Sequence, residues 1–456
     1  MNKRSKHIGL VLYESGLKTF AKSVNLLGGM YVKRWFSVAV IILMVMSLII
    51  GCSSKSTTSK SKDGKTTITF FYRWPNEPYK SYFKSVIAEF EKQNPNIKVE
   101  EVTALNDDYK QKANVLLGSQ NPPDVFFSWA GEYGQKFIRD GVALDLTKYY
   151  QDDTEWSGQL IGSQVDFFKK DDKVYGVPLF TDSKLFFYNK DLFDKLGLKA
   201  PTTWDEFMNV LATIKKNGTT PIILGNKSPW AAAHYVTALN QRLVPKEVLD
   251  KDLSYQGAKF TDPGYVEALK KLNELRPYFN DDPNAVAHDE ARGLFLGGKA
   301  AITFLETQEI TYMKDATFKW DTFKVPTIDG AKGDQGGLIG APEGFMIHSK
   351  SAHPKEAMAF LKFMTSKANG EKLIKDTGLA STVVDAVNEN SATKEEVKAM
   401  DLIKEQKNML IWTDSALDSR IFKPYGDGVQ TMLGGGIKPA DVMKSVQEAA
   451  KQVYNK

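Results

Sequence analysis

The chain has 456 residues, enough for two domains of about 200 each rather than one. It is 42% hydrophobic, 11% aromatic and 25% charged, a globular composition that excludes wholesale disorder. Cys52 is its only cysteine, which rules out an intrachain disulfide and a cysteine-based zinc cluster. The formal net charge of +5 is unevenly spread: residues 1–51 carry seven Lys/Arg against Glu14, contributing +6, so 52–456 carry about −1. A near-neutral body argues against a nucleic-acid binder, which needs a basic face.

Lys33 and Arg34 precede an uncharged apolar run, Trp35 to Ile50. That run is short for a membrane span, which needs about 20 residues, and long enough for the core of a signal peptide. It ends in Ile49-Ile50-Gly51-Cys52, which resembles a bacterial lipobox, where the cysteine is lipidated and becomes the first residue of the mature protein. Residues 1–51 are therefore expected to be a lipoprotein signal peptide and Cys52 its lipidation site; an uncleaved signal anchor is the alternative. A complete signal peptide could also start at Met30, leaving 1–29 as a gene-model extension or a long leading region. Residues 52–65 are polar, with no apolar side chain to bury, and read as a flexible tether.

Beyond the tether, strands and helices alternate. Ile68, Phe70 and Tyr72 alternate as in a strand, and Phe83, Val86, Ile87 and Phe90 fall on one helical face closed by Asn94-Pro95. Ile97 to Val102 reads as a second strand. Asn106 or Asp107 is placed to cap a helix containing Tyr109, Ala113, Leu116 and Leu117, and Asp124 to Phe127 reads as a buried strand. This spacing implies a largely parallel sheet with right-handed crossovers. The grammar recurs: Thr203-Trp-Asp-Glu206 is a capping box ahead of Phe207, Val210, Leu211 and Ile214, and Ile222 to Leu224 is a strand. Ala357, Phe360, Leu361 and Met364 form another helical face. Two α/β units imply two lobes with a ligand cleft between them.

Local catalytic and cofactor signatures are missing. Gly293 to Lys299 matches the first seven positions of a phosphate-binding loop, but Ala300 stands where magnesium would need Ser or Thr. The order is also reversed, with a helix before the glycines and a strand, Ala300–Leu305, after them, so Gly297-Gly298 reads as a helix end. His234, His288, His348 and His353 lack metal-ligand spacing. The expectation is a binding protein rather than an enzyme, with neither cofactor nor metal; a glycosidase is the rival reading, because many acidic pairs are possible.

The stretch 171–207, Asp-Asp-Lys-Val-Tyr-Gly-Val-Pro through Thr-Thr-Trp-Asp-Glu-Phe, closely resembles the signature of family 1 extracellular solute-binding proteins, the carbohydrate receptors of ATP-binding-cassette (ABC) importers. Asn121 to Val125, Leu294 to Phe304 and Pro354 to Ser366 resemble further blocks of that family in its order, and the resemblance covers roughly 66–380. It departs at Leu305-Glu-Thr-Gln308, where the family often carries Asn-Gly-Ser-Trp, and at Leu379-Ala-Ser-Thr382, where a Pro-Pro element is common.

The resemblance implies an α/β, two-lobed, type II periplasmic-binding-protein-like fold whose hinge-linked lobes surround a central cleft. The chain would cross between lobes near Thr181–Ser183, Phe304–Glu306 and Gly340–Gly344. That assigns 66–181 plus 306–341 to one lobe and 182–305 plus 342–456 to the other. It also implies a carbohydrate ligand, ABC permease transmembrane subunits as partners, membrane attachment through lipid on Cys52 at the extracytoplasmic face, and a monomer. A peptide or polyamine ligand, or a sensor role, would use the same plan.

A sugar offers ring faces to aromatic side chains and hydroxyls to groups that accept and donate. Trp74, with Asn76 and Glu77, follows the first strand at its carboxyl end, where ligands collect in such sheets. Trp129 follows the third strand, and Trp230 follows the strand of the second unit. Trp412, with Asp414 and Arg420, is a further candidate. Asp182 and Glu306 sit at two crossings, where each could bind a hydroxyl or brace the hinge, and Glu343 lies at the third.

Overall fold

The computed structural model describes residues 64–254, 257–404 and 409–454. The expected signal peptide, the lipidation site Cys52 and nearly all of the tether lie outside the described residues.

Strand β1 (Thr66–Tyr72) begins with the expected alternation and becomes buried on both faces from Phe70 onward. Helix α1 (Tyr79–Gln93) buries Phe83, Val86, Ile87 and Phe90, the face read from their spacing, and ends at Asn94, whose N–H bonds the Phe90 carbonyl. Strand β2 (Ile97–Thr103) follows, then α2 (Asn106–Leu117). The capping expectation for α2 is corrected: Leu105 occupies the cap without a side-chain bond, and Asn106 instead accepts from Arg73 at 3.1 Å. Strand β3 runs from Val125 to Trp129 and is buried throughout. It starts after Asp124, whose carboxylate accepts from the Thr69 N–H, and carries Trp129 as its last residue.

Strand β4 (Val177–Asn189) is unusually long at 13 residues. Helix α3 (Trp204–Lys216) has the full reciprocal capping box between Thr203 and Glu206. Strand β5 (Thr220–Ile223) leads to α4 (Trp230–Leu243), and α5 (His288–Leu296) leads through Gly297-Gly298 into β6 (Ala300–Glu306). Gly298 has φ +72°, a left-handed conformation that glycine adopts without a Cβ penalty. Strands β7 (Trp320–Phe323) and β8 (Gly340–Ile347), helix α6 (Pro354–Met364), the short β9 (Ala380–Ser381) and helix α7 (Ser419–Leu433) complete the elements that matter for the site.

The nine strands join in the order β2-β1-β3-β8-β4-β6-β5, with β7 and β9 also paired to β4. β1 is parallel to both β2 and β3, as the crossover spacing requires, while β8 is antiparallel between β3 and β4. The long β4 changes partners along its length. Val177 to Ser183 pair with β8, whereas Lys184 to Tyr188 pair with β6 and Phe186 to Asn189 with β7.

Two large cores form on either side of that change of partners. The first draws on Ile68 to Phe180 and then on Phe345 to Ala386. The second draws on Phe186 to Ile328, Ile339 and Trp412 to Ala450. The clusters draw on the C-terminal half in a different order from the expected lobe division. Phe323, Val325, Ile328 and Ile339 pack with the second core, as β7 pairs with the far end of β4, and most buried residues of 345–386 pack with the first, as β8 pairs with β3. Leu338, Ile374 and Ala380 join a smaller third cluster with Leu185 and Phe187.

Candidate functional site

The carboxyl ends of the first core's strands open on a cavity of about 200 Å3. Arg73, one residue past β1, lines it together with Trp129 at the end of β3. Asn106 and Lys110, one turn apart on α2, complete this wall. The facing wall comes from the second core: Ser228, Pro229 and Trp230 at the start of α4, with His234 one turn later. Trp412, Asp414 and Ser415 belong to the short helical turn Thr413–Ala416 and its cap, and Phe422 comes from α7. Glu306, ending β6, and Glu343, in β8, meet the cavity where the chain passes between the cores.

Charge in the cavity is balanced in pairs. Arg73 bonds Glu343 at 2.6 Å, with both side chains buried. Burial pulls the Arg73 guanidinium down, but Glu343 and Glu306 outweigh it and hold the charge. Burial pushes Glu343 up to about 7 despite Arg73, and pushes Glu306 up to about 7 with help from Asp182 and against Lys184. Lys110 crosses to the second core and bonds Asp414 at 2.9 Å. Burial raises Asp414, yet Lys110 and His234 hold it well below the usual carboxylate range. Burial and Lys184 together bring His234 down to about 3, so its ring is neutral at physiological pH.

The aromatic groups differ in role. Trp129 makes T-shaped contacts with Phe127, Tyr133 and Tyr109, while the Lys110 ammonium lies 4.9 Å from its centroid. Trp230 is partly exposed and faces His288 and His234. Trp412 stacks on His234 with centroids 4.4 Å apart.

Of the residues singled out from the sequence, Trp129, Trp230, Glu306, Glu343, Trp412 and Asp414 all line this one cavity. Four do not. Trp74 is 5% exposed and packs in the first core among Phe127, Phe83, Phe180 and Tyr79, giving one face to Arg73 at 4.3 Å. Asn76 and Glu77 are exposed at the start of α1, where the Glu77 carboxylate accepts from the Ser81 N–H. Arg420 is exposed and pairs with Asp418. Asp182 is fully buried, with its carboxylate accepting from Ser183, Thr307 and Gln308. Burial, then Glu343, pushes it up to about 7 against those hydrogen bonds.

Sequence reading missed Arg73, Asn106, Lys110 and His234. Arg73 had a usable signal, since it directly follows the end of β1, and Asn106 a weaker one, since it opens the helix three residues past the end of β2. His234 carried none: a lone histidine inside an alanine-rich helix looks like packing. Gln308, which replaces a residue of the expected aromatic motif, bridges Asp182 and Glu306 at 2.7 Å each and accepts from Arg73. Among the described residues, no group of three or more His, Cys, Asp or Glu is arranged to hold a metal ion.

Two cores joined by a shared long strand, with a polar and aromatic cavity between them, define a two-lobed α/β binding protein of the type II periplasmic class. The model of the bacterial extracellular solute-binding protein family matches residues 74–371, and this chain belongs to that family. It is 28% identical over 335 residues to the multiple sugar-binding protein of Streptococcus mutans, covering 71% of this chain and 77% of that one. It is 25% identical to the melibiose/raffinose/stachyose-binding protein of Bacillus subtilis, covering 74% and 79%. A solved structure from work on xylan utilization by Caldanaerobius polysaccharolyticus superposes with a TM-score of 0.79 at 27% identity, covering 84% of this chain and 99% of that one.

Proposed function

We propose that this chain captures a sugar or oligosaccharide in the cavity between its two cores and delivers it to an ABC-type permease. The observation that carries the reading is the composition of the cavity: Trp129 lines one wall, Trp230, Trp412 and Asp414 line the other, and Glu306 and Glu343 meet it at the crossings. Rings suit the apolar faces of a sugar, and carboxylates accept from its hydroxyls. Arg73 balances Glu343 and Lys110 balances Asp414, which favours an uncharged ligand over a peptide or polyamine. Relatives named for multiple sugars and for melibiose, raffinose and stachyose support the same class.

In this reading the cores are lobes that close over the ligand by a hinge at the crossings, and the closed form is what the permease recognises. The protein works as a monomer without cofactor or turnover, held at the extracytoplasmic face by lipid on Cys52. A thermal-shift panel of mono- and oligosaccharides, peptides and polyamines on residues 53–456 tests it. A ligand at a hundred times its Kd stabilises the native state by about 2.7 kcal/mol. A sugar that raises the midpoint and is recovered with unchanged mass supports capture. A cleaved sugar would make the protein a glycosidase, and a response confined to peptides or polyamines would overturn the carbohydrate assignment.

A further inference from the structure

Asp414 is met by a partner from each core. Lys110 reaches its Oδ2 at 2.9 Å from the first core, and His234 Nε2 lies 3.2 Å from its Oδ1 within the second. Behind the imidazole, Lys184 Nζ sits 2.9 Å from His234 Nδ1, and Trp412 is stacked on the ring at 18°. Glu306 is 3.7 Å from the same Nδ1, beyond hydrogen-bond reach.

The chemistry of these groups orders their protons. An ionised carboxylate only accepts, and a neutral imidazole carries one N–H. The proton of His234 therefore sits on Nε2 and is donated to Asp414, which leaves the Nδ1 lone pair to accept from Lys184. A directed chain results, from Lys184 in β4 through His234 in α4 to Asp414 at the cavity wall, closed by Lys110 from the opposite side. A carboxylate has about four acceptor positions. His234 and Lys110 take one each, so others remain for a ligand.

We infer that His234 is a positioning residue for the captured sugar, holding the Asp414 carboxylate where it accepts a sugar hydroxyl beside Lys110. The inference rests on the sugar-capture reading. It differs from that reading in assigning the orientation of Asp414 to a residue that touches Asp414 and not necessarily the ligand.

A double-mutant cycle on Asp414→Asn and His234→Phe tests it, with sugar affinity read by titration calorimetry and ligand-free stability by urea unfolding. Phenylalanine keeps a ring against Trp412 and removes both polar contacts; His234→Gln is the rescue, since its amide can accept from Lys184 and donate to Asp414. Losing a hydrogen bond to a charged group corresponds to about a tenfold or greater loss of affinity. Each single variant should weaken binding by about that much, the double variant no more than Asp414→Asn alone, and His234→Gln should recover most of the loss. Losses that multiply, or wild-type affinity in His234→Phe, would overturn the role. Nitrogen chemical shifts of His234 in the ligand-free protein give a second readout: a proton on Nε2 is expected, and a proton on Nδ1 would refute the chain. A wild-type protein with the Nε2 proton in place that binds none of the sugars would overturn the sugar reading, and this role with it.

Discussion

Trp74 and Trp230 occupy equivalent sequence contexts, each following a strand of its own α/β unit, yet their substitution should have opposite consequences. Trp74 is 5% exposed, with the rings of Phe127, Phe83, Phe180 and Tyr79 at 4.9, 5.6, 5.6 and 6.0 Å from its own. Truncating a tryptophan in such a core costs about 3–5 kcal/mol, a large share of the roughly 5–15 kcal/mol that holds a typical domain together. Trp230 is partly exposed on the cavity wall, so its truncation should leave stability nearly intact. Losing its ligand contact should cost about 1–3 kcal/mol of binding, roughly 5- to 150-fold in Kd. Urea unfolding without ligand and titration calorimetry with the best sugar separate the two effects. Trp74→Phe accompanies Trp74→Ala, because the alanine variant can fail to fold. A Trp74→Phe protein that is stable but cannot bind, paired with Trp230→Ala of wild-type affinity, would refute the assignment of the two residues.

Three further outcomes are expected. Gly131 has φ +86° and ψ −157°, a region almost closed to other residues, and a Cβ there would lie 2.8 Å from the Ser415 carbonyl oxygen of the second core. Gly131→Ala should therefore cost about 1–3 kcal/mol of stability and weaken ligand affinity as well; unchanged affinity would mean that the contact between residues 131 and 415 plays no part in closure. Asp182, Glu306 and Glu343 are all pushed up to about 7, so each binds its proton more tightly in the folded chain than in the unfolded one. Their contribution to stability is fully present below the unfolded carboxylate range and is lost as pH rises through 7, while the lowered Asp414 works oppositely and loses its contribution only in strong acid. Urea midpoints of the ligand-free protein should thus fall between pH 5 and pH 8, and Asp182→Asn should flatten that fall; an equal slope in the variant would contradict the argument. Thr203→Ala removes the capping box of α3, far from the cavity, and should cost about 1 kcal/mol of stability at unchanged affinity.

Much of the fold was legible because its elements obey local rules. Phe83 to Phe90 and Phe207 to Ile214 repeat at helical spacing, and the Thr203–Glu206 box is a contiguous signal. The split between cores was less legible, since the assignment of 320–339 and 345–386 depends on which half of β4 each strand pairs with, and no local pattern encodes that choice. At the site, proximity to a strand end found Trp129 and Trp230 but also selected Trp74, whose ring turns inward while its neighbour Arg73 takes the cavity. His234 was hidden for a different reason: its role depends on Lys184 and Asp414, which lie 50 and 180 residues away in sequence.

The most direct test of sugar capture between the two cores is a crystal structure of the protein grown with the sugar that stabilises it most. The account predicts an intact sugar in the cavity, in contact with Trp129 or Lys110 on one wall and with Trp230, Trp412 or Asp414 on the other. A sugar bound elsewhere, held by one core alone, or recovered as cleaved products would contradict it.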